Sequence, residues 1–212
     1  MFAGVTLLDP ATTYIDAGVK IGADTVIHPL TFLTGETVVG RRAQVGPSTR
    51  LTDTRVGDDA RVEFSVAEGA RIGRGADIGP FARLRPGTVL AAGVHVGSYV
   101  EIKDSSIGEG TKVPHLTYVG DATVGRRANL GAGTVTANWD GYDKHRTEIG
   151  DDARIGSDTM LVAPVKVGRG AVTGAGSVIT KDVPAGSLAV ERAEQRTVKG
   201  YRKRRDAEHR GS

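Results

Sequence analysis

The chain has 212 residues, no cysteine and a formal net charge of +3, from 28 Lys and Arg against 25 Asp and Glu. Without cysteine there is no disulfide framework, no thiolate metal site and no thiol nucleophile. No apolar run is long enough to span a bilayer and no signal peptide is legible, so a cytoplasmic protein without membrane partners is expected.

Residues 1–20 read as a start or cap, with turn chemistry in DPATTY (9–14). From 21 to 183 an aliphatic residue recurs at every sixth position. Ile21, Ile27, Leu33, Val39, Val45 and Leu51 form one run, Ile72 to Ile102 a second, and Ile149 to Ile179 a third, with Thr173 substituting once. A fixed short period with abundant glycine (30 residues) and few aromatics (5%) predicts an all-β solenoid with tight corners. Three units close a triangular coil of about 18 residues, and roughly nine coils are expected at the ordinary inter-strand spacing of about 4.8 Å. The period slips by one at Leu51→Val56, Ile102→Ile107 and Val119→Val124, and is weakest across FSVAEGA (64–70).

TANWDGYDKHRTE (136–148) breaks the pattern and is expected to project as a loop, since insertions in solenoids collect on one face. The period ends after Pro184. Residues 1–190 are expected to form the β-helix domain, and 191–212 a helical or extended C-terminal arm with a basic tail. That tail, YRKRRDAEHR (201–210), reads as a solvated helix or an arm touching an anionic ligand. Nucleic-acid binding is not expected, because the chain lacks the basic–aromatic interleaving of single-strand binders.

The repeat also assigns neighbours. Arg85 and Lys103 each follow an anchor and stand 18 positions apart, so they stack on adjacent rungs. Like charges in that position repel, unless both side chains splay into water or share an anion such as phosphate. Arg83 and Glu101 are likewise one coil apart and form a candidate ion pair, with Tyr118 next in that column. His115 lies within about one coil of these groups, and Glu101 is expected to orient and polarise its imidazole as a general base. Ala132, Ser157 and Ala175 fall in line with His115. Small residues there are either corner-compatible filler or the floor of a groove for an extended pantetheine arm.

IGPFARLRPGTVL (78–90), VPHLTYVGDATVG (113–125), NLGAGTVTANWDG (129–141), IGSDTMLVAPVKVG (155–168) and the ending DVPAGSLAV followed by Arg192 closely resemble the acetyltransferase half of the bifunctional GlmU family. The resemblance runs from about Val5 to about Arg204. It implies a left-handed prism, a hand that the period alone does not fix. It implies acetyl transfer from acetyl-CoA to the amine of glucosamine-1-phosphate, for UDP-GlcNAc and cell-wall precursor synthesis. It further implies a homotrimer with sites between subunits and no metal for the acetyl step. The family's catalytic base falls on His115. Its sugar-phosphate ligands fall on Arg85, Lys103, Tyr118, Asn129 and Lys144, and its acetyl-CoA contacts on Ala132, Asn138, Trp139, Ser157, Ala175 and Arg192.

The family's nucleotidyltransferase half has no counterpart here, so this chain is expected to make no UDP-sugar, whether it is a detached enzyme or an excised domain. The loop reads NWDG where NYDG is the family's common form, and Tyr201 stands where some relatives carry Trp. Those two departures leave open a paralogue acetylating a different amine. A metal-dependent hydratase and a non-catalytic structural β-helix are the remaining readings.

Overall fold

The computed structural model describes residues 4–210. Residues 1–3 of the expected β-helix domain and 211–212 of the expected arm lie outside the described residues. The chain winds as a left-handed parallel β-helix whose three sheets hold eleven, ten and nine strands among the described residues. The first sheet runs from Thr6–Leu7 to Leu188–Ala189, the second from Tyr14–Ile15 to Val178–Ile179, and the third from Lys20–Ile21 to Val165–Val167. Each strand pairs with its equivalent one coil away, as in Ile27↔Val45, Leu33↔Leu51 and Ile21↔Val39. The stack is thus longer than the nine coils expected, because both ends hold strands the period does not announce. Residues 6–15 already form rungs, and Leu188–Ala189 extends the first sheet past Pro184.

Most strands are only two or three residues long, so most send one side chain inward, and a few of the third sheet, such as Val165–Val167, send two. Those residues are the six-period anchors. Ile27, Leu33, Leu51, Ile78, Leu84, Leu90 and Ile102 are at most 2% exposed. Each such side chain contributes roughly 1.5–3 kcal/mol of transfer free energy. Threonine forms a second interior set that the period did not reveal. Thr25, Thr111 and Thr134 are fully buried, and their hydroxyls donate to the carbonyls of Gly40, Gly125 and Gly131 at 2.7 Å. A buried hydroxyl without such an acceptor would be costly. The weak stretch at 64–70 is a full rung in which Ala67 is the interior residue and Phe64 points out. A prism this narrow has no room for rings, so Phe64, Phe81 and Tyr99 stack along an outer corner, the last two at 5.3 Å.

The five-residue spacings turn the corner from the second sheet to the third. Each places an aspartate in the left-handed region: Asp53 (φ 48°), Asp104 (φ 42°) and Asp121 (φ 50°). Aspartate tolerates that conformation better than most residues, because its short polar side chain bonds locally.

The interruption is shorter than 136–148. Val135–Ala137 belongs to the second sheet and Thr147–Ile149 to the third, and Thr136 is fully buried. Only 138–146 leaves the prism. Residues 190–200 have no regular structure beyond turns and lead to the exposed helix Tyr201–Arg210. No helix among the described residues is long and apolar enough to cross a membrane.

Candidate active site

The second sheet carries the cationic stack. Arg83 pairs in register with Glu101 and Leu84 with Ile102, which sets Arg85 beside Lys103 one rung on. Glu101 continues to Tyr118, and Lys103 to Gly120. Arg85, Lys103, Tyr118, Asn138, Trp139 and Lys144 line one cavity of about 270 Å³. Four of the expected sugar-phosphate ligands therefore converge. Asn138 and Trp139, expected at acetyl-CoA, lie in the wall of this same cavity and not along the small-residue column.

The pairing of charges differs from the expectation. Glu101 bonds Arg85 across the rung at 2.9 Å, not Arg83 directly opposite. Arg83 and Arg85 flank the buried Leu84 on the same outward face. Nor does Glu101 orient His115. Its carboxylate is engaged on the sheet, whereas His115 is exposed at the end of Lys112–His115, at the corner between the first and second sheets. Among the described residues the His115 imidazole makes no hydrogen bond or ion pair.

Lys103 meets Asp121 at 3.5 Å, and that aspartate is only 5% exposed. Asp121 also accepts a hydrogen bond from Asn138 Nδ2. Burial pushes its carboxyl up, but Asn138, Asp104 and the Lys103 ammonium outweigh burial and hold it below the usual carboxylate range. The Lys103 ammonium is held above the lysine range by the Lys144 amine beside it, against the penalty of burial and with help from the Asp121 charge. Lys144 moves the other way, pushed down by Lys103 first and by Arg85 as well. Three cationic side chains thus face one small space, which an anion there would relieve.

Gly120 makes this arrangement possible. A Cβ at that position would stand 2.7 Å from Tyr118 Cζ and 2.8 Å from Asn138 Nδ2, with the phenol oxygen closer still. Glycine lets both side chains lie across the strand toward the cavity. Neither Gly120 nor Asp121 was singled out from sequence. The available signal was the slip at Val119→Val124, where YVGDA puts an aspartate in a corner that is exposed at Asp53 and Asp104 but buried here.

The second group of residues lies along the corner after the first sheet. The Gly133 amide donates to the His115 carbonyl at 3.3 Å, Asp158 to Ala132 at 2.7 Å, and Gly176 to Ser157 at 2.8 Å. Arg192 then donates to the Ala175 carbonyl at 2.9 Å. These bonds place His115, Ala132, Ser157, Ala175 and Arg192 in one line, one rung apart. Among the described residues the amides of Ala132, Ser157 and Ala175 donate to no protein group. Asn129 is not brought to the cavity. It sits exposed on the first sheet between Lys112 and Arg154. The expected residues therefore form a cavity on the second sheet, a line at its edge, and one outlier on the neighbouring face.

The family described as bacterial transferase hexapeptide (six repeats) matches residues 146–181. The bifunctional protein GlmU of Streptomyces avermitilis is 60% identical over 201 residues, which is 95% of this chain and 42% of that protein. GlmU of Heliobacterium modesticaldum is 54% identical over the whole chain, matching 46% of its own length. The chain is similar to part of GlmU. It spans less than half the length of the GlmU proteins it matches. Among solved structures, LpxA from Acinetobacter baumannii overlays 96% of this chain and 77% of its own with a TM-score of 0.50 at 21% identity, a likeness that speaks for the fold. The match to the Heliobacterium protein runs the whole length of this chain and so includes HLTYVGDA, the stretch holding His115, Tyr118, Gly120 and Asp121.

Proposed function

We propose that this chain transfers the acetyl group of acetyl-CoA to the amine of glucosamine-1-phosphate. The observation that carries this reading is the convergence of Arg85, Lys103 and Lys144 on one cavity. Three cations fit a phosphate monoester better than a neutral acceptor, and the likeness to GlmU over 95% of the chain supports the amino sugar. Arg85, Lys103 and Lys144 hold the phosphate, and Tyr118 with Asn138 and Trp139 shapes the space for the ring. The neutral amine attacks the thioester carbonyl, forming the C–N bond as the C–S bond breaks. His115 takes the proton that nitrogen loses and can return it to the departing thiolate.

The line of Ala132, Ser157 and Ala175 suits the pantetheine arm. Its side chains leave a shallow track, and its unpaired amides can donate to the arm's carbonyls or to the developing oxyanion. Arg192 at the end of the line fits an anionic part of CoA. The imidazole of His115 and the position of Asn129 point to a homotrimer in which a neighbouring copy completes each site. Residues 191–212 act in this scheme as an arm distinct from the prism, and the reaction belongs to the cytoplasm.

Trp139 in the cavity wall favours one second reading, acetylation of another phosphorylated amine. Thiol release from acetyl-CoA across a panel of amines, with and without phosphate, separates the two. Turnover with glucosamine-1-phosphate is expected to fall by about a hundredfold or more in His115→Ala. Near-normal turnover in that variant removes His115 from the chemistry, and no turnover with any amine in the native chain refutes the reading.

A further inference from the structure

Lys144 reaches the cavity from the projecting segment, not from the prism. It lines that cavity together with Lys103 and Arg85, and their charges disfavour its ammonium form. The segment is a hairpin: Trp139 and Lys144 pair antiparallel, and the His145 amide donates to the Asn138 carbonyl at 2.8 Å. Its base is fixed by Asn138 on Asp121 and by Arg146, which approaches Asp104 at 3.6 Å. Its tip projects freely, with Tyr142 92% exposed. The order at the tip therefore comes from within the hairpin.

One side chain supplies it. Asp140 Oδ1 accepts from the amides of Tyr142 at 2.9 Å and Asp143 at 2.8 Å, while Oδ2 pairs with His145 Nε2 at 2.8 Å. The Asp140 amide closes the turn on the Asp143 carbonyl at 3.2 Å, and Gly141 takes the left-handed conformation (φ 105°) that the bend requires. These bonds tie together both strands of the hairpin, immediately beside Trp139 on one and Lys144 on the other.

We propose that Asp140 and His145 are positioning residues of the acceptor site, a latch that holds Lys144 over the cavity before an anion arrives. This rests on the reading that Lys144 meets the acceptor's phosphate. Without the latch, repulsion from Lys103 and Arg85 turns the ammonium out to water, and each binding event must order the hairpin again. Neither latch residue touches the acceptor. Their loss weakens acceptor binding and leaves the chemical step alone.

The test uses the full chain at saturating acetyl-CoA, with thermal melts to confirm folding. Asp140→Ala and His145→Ala are expected to raise the acceptor KM by about tenfold, with kcat and the acetyl-CoA KM within about twofold of native. His145→Arg, which returns a cation opposite Asp140, restores the acceptor KM. Adding Asp140→Ala to Lys144→Ala costs nothing further, because the latch acts through that lysine. Trp139 is the one tryptophan of the chain. Its fluorescence response to inorganic phosphate shifts to higher concentration in Asp140→Ala by a factor similar to the KM, which reads the site without turnover. A raised KM in Lys144→Ala with no change in Asp140→Ala or His145→Ala overturns the latch alone, as do fully additive effects in the double variant. If Lys144→Ala leaves the acceptor KM and the phosphate response unchanged, the phosphate reading fails and the latch with it. Should Asp140→Ala not fold, the His145→Ala and His145→Arg pair decides the matter.

Discussion

Gly120→Ala adds one methyl group beneath the acceptor cavity. The new carbon would lie 2.7 Å from Tyr118 Cζ and 2.8 Å from Asn138 Nδ2. Carbon atoms in ordinary contact are about 3.5–4.0 Å apart, so each side chain has to retreat by about 1 Å. Both contacts are with side-chain tips and not with backbone. The cost to stability should therefore fall at the low end of the roughly 1–3 kcal/mol typical of overpacking. Function is more sensitive, since a displacement of about 1 Å at a site of this kind costs about a hundredfold in rate, or about 2.7 kcal/mol of transition-state stabilisation. Thiol-release kinetics with the acceptor varied, alongside a thermal melt, measure both quantities. The expected outcome is a fall of about a hundredfold in kcat/KM with a melting temperature lowered by only a few degrees. Tyr118→Phe in the same chain removes the phenol oxygen, the nearest of the three atoms the methyl would meet, so the double variant should lose less than the sum of the two single losses. Native kcat/KM in Gly120→Ala would refute the reasoning, and so would a loss of activity that merely follows a loss of folded protein.

Asp121→Asn removes the buried charge facing Lys103. It should lower stability by about 2 kcal/mol, the scale of a hydrogen bond to a charged group, and raise the acceptor KM without changing that for acetyl-CoA; melts and initial rates check both. Affinity for phosphate should fall as pH rises, beginning below the ordinary lysine value of 10.5, because Lys144 is depressed by Lys103 and Arg85 and binds the anion only when protonated. Phosphate titrations across alkaline pH should show proton uptake on binding, and Lys144→Met should lose that slope. Arg192→Ala should raise the acetyl-CoA KM while sparing the acceptor KM, since its guanidinium sits at the far end of the small-residue line, on the Ala175 carbonyl.

The repeat was legible because interior selection is strict. One inward side chain in most of the short strands leaves little choice but Ile, Leu or Val, and a spacing of six follows from the length of each side. Counting along it was enough to stack Arg85 on Lys103 and to set Ala132, Ser157 and Ala175 in line with His115. Resemblance to GlmU added Asn129, Lys144, Asn138, Trp139 and Arg192, which no spacing points to. The buried threonines went unseen because a hydroxyl satisfied by a backbone carbonyl has no signature in hydropathy.

The sequence alone determined which residues share a column, since register in a solenoid is set by chain length per coil. The tertiary structure alone decided how those columns spend their charges. Glu101 went to Arg85 and not to His115, because side chains choose partners by reach and angle across rungs, which residue spacing does not encode. Asp121 became the buried counter-ion of Lys103 because one five-residue corner is covered where two similar ones are open. The segment 138–146, outside the repeat, was placed by contacts local to it, Asp140 on His145 and Asn138 on Asp121. Those contacts bring Lys144 into the cavity that the count along the repeat had only half described.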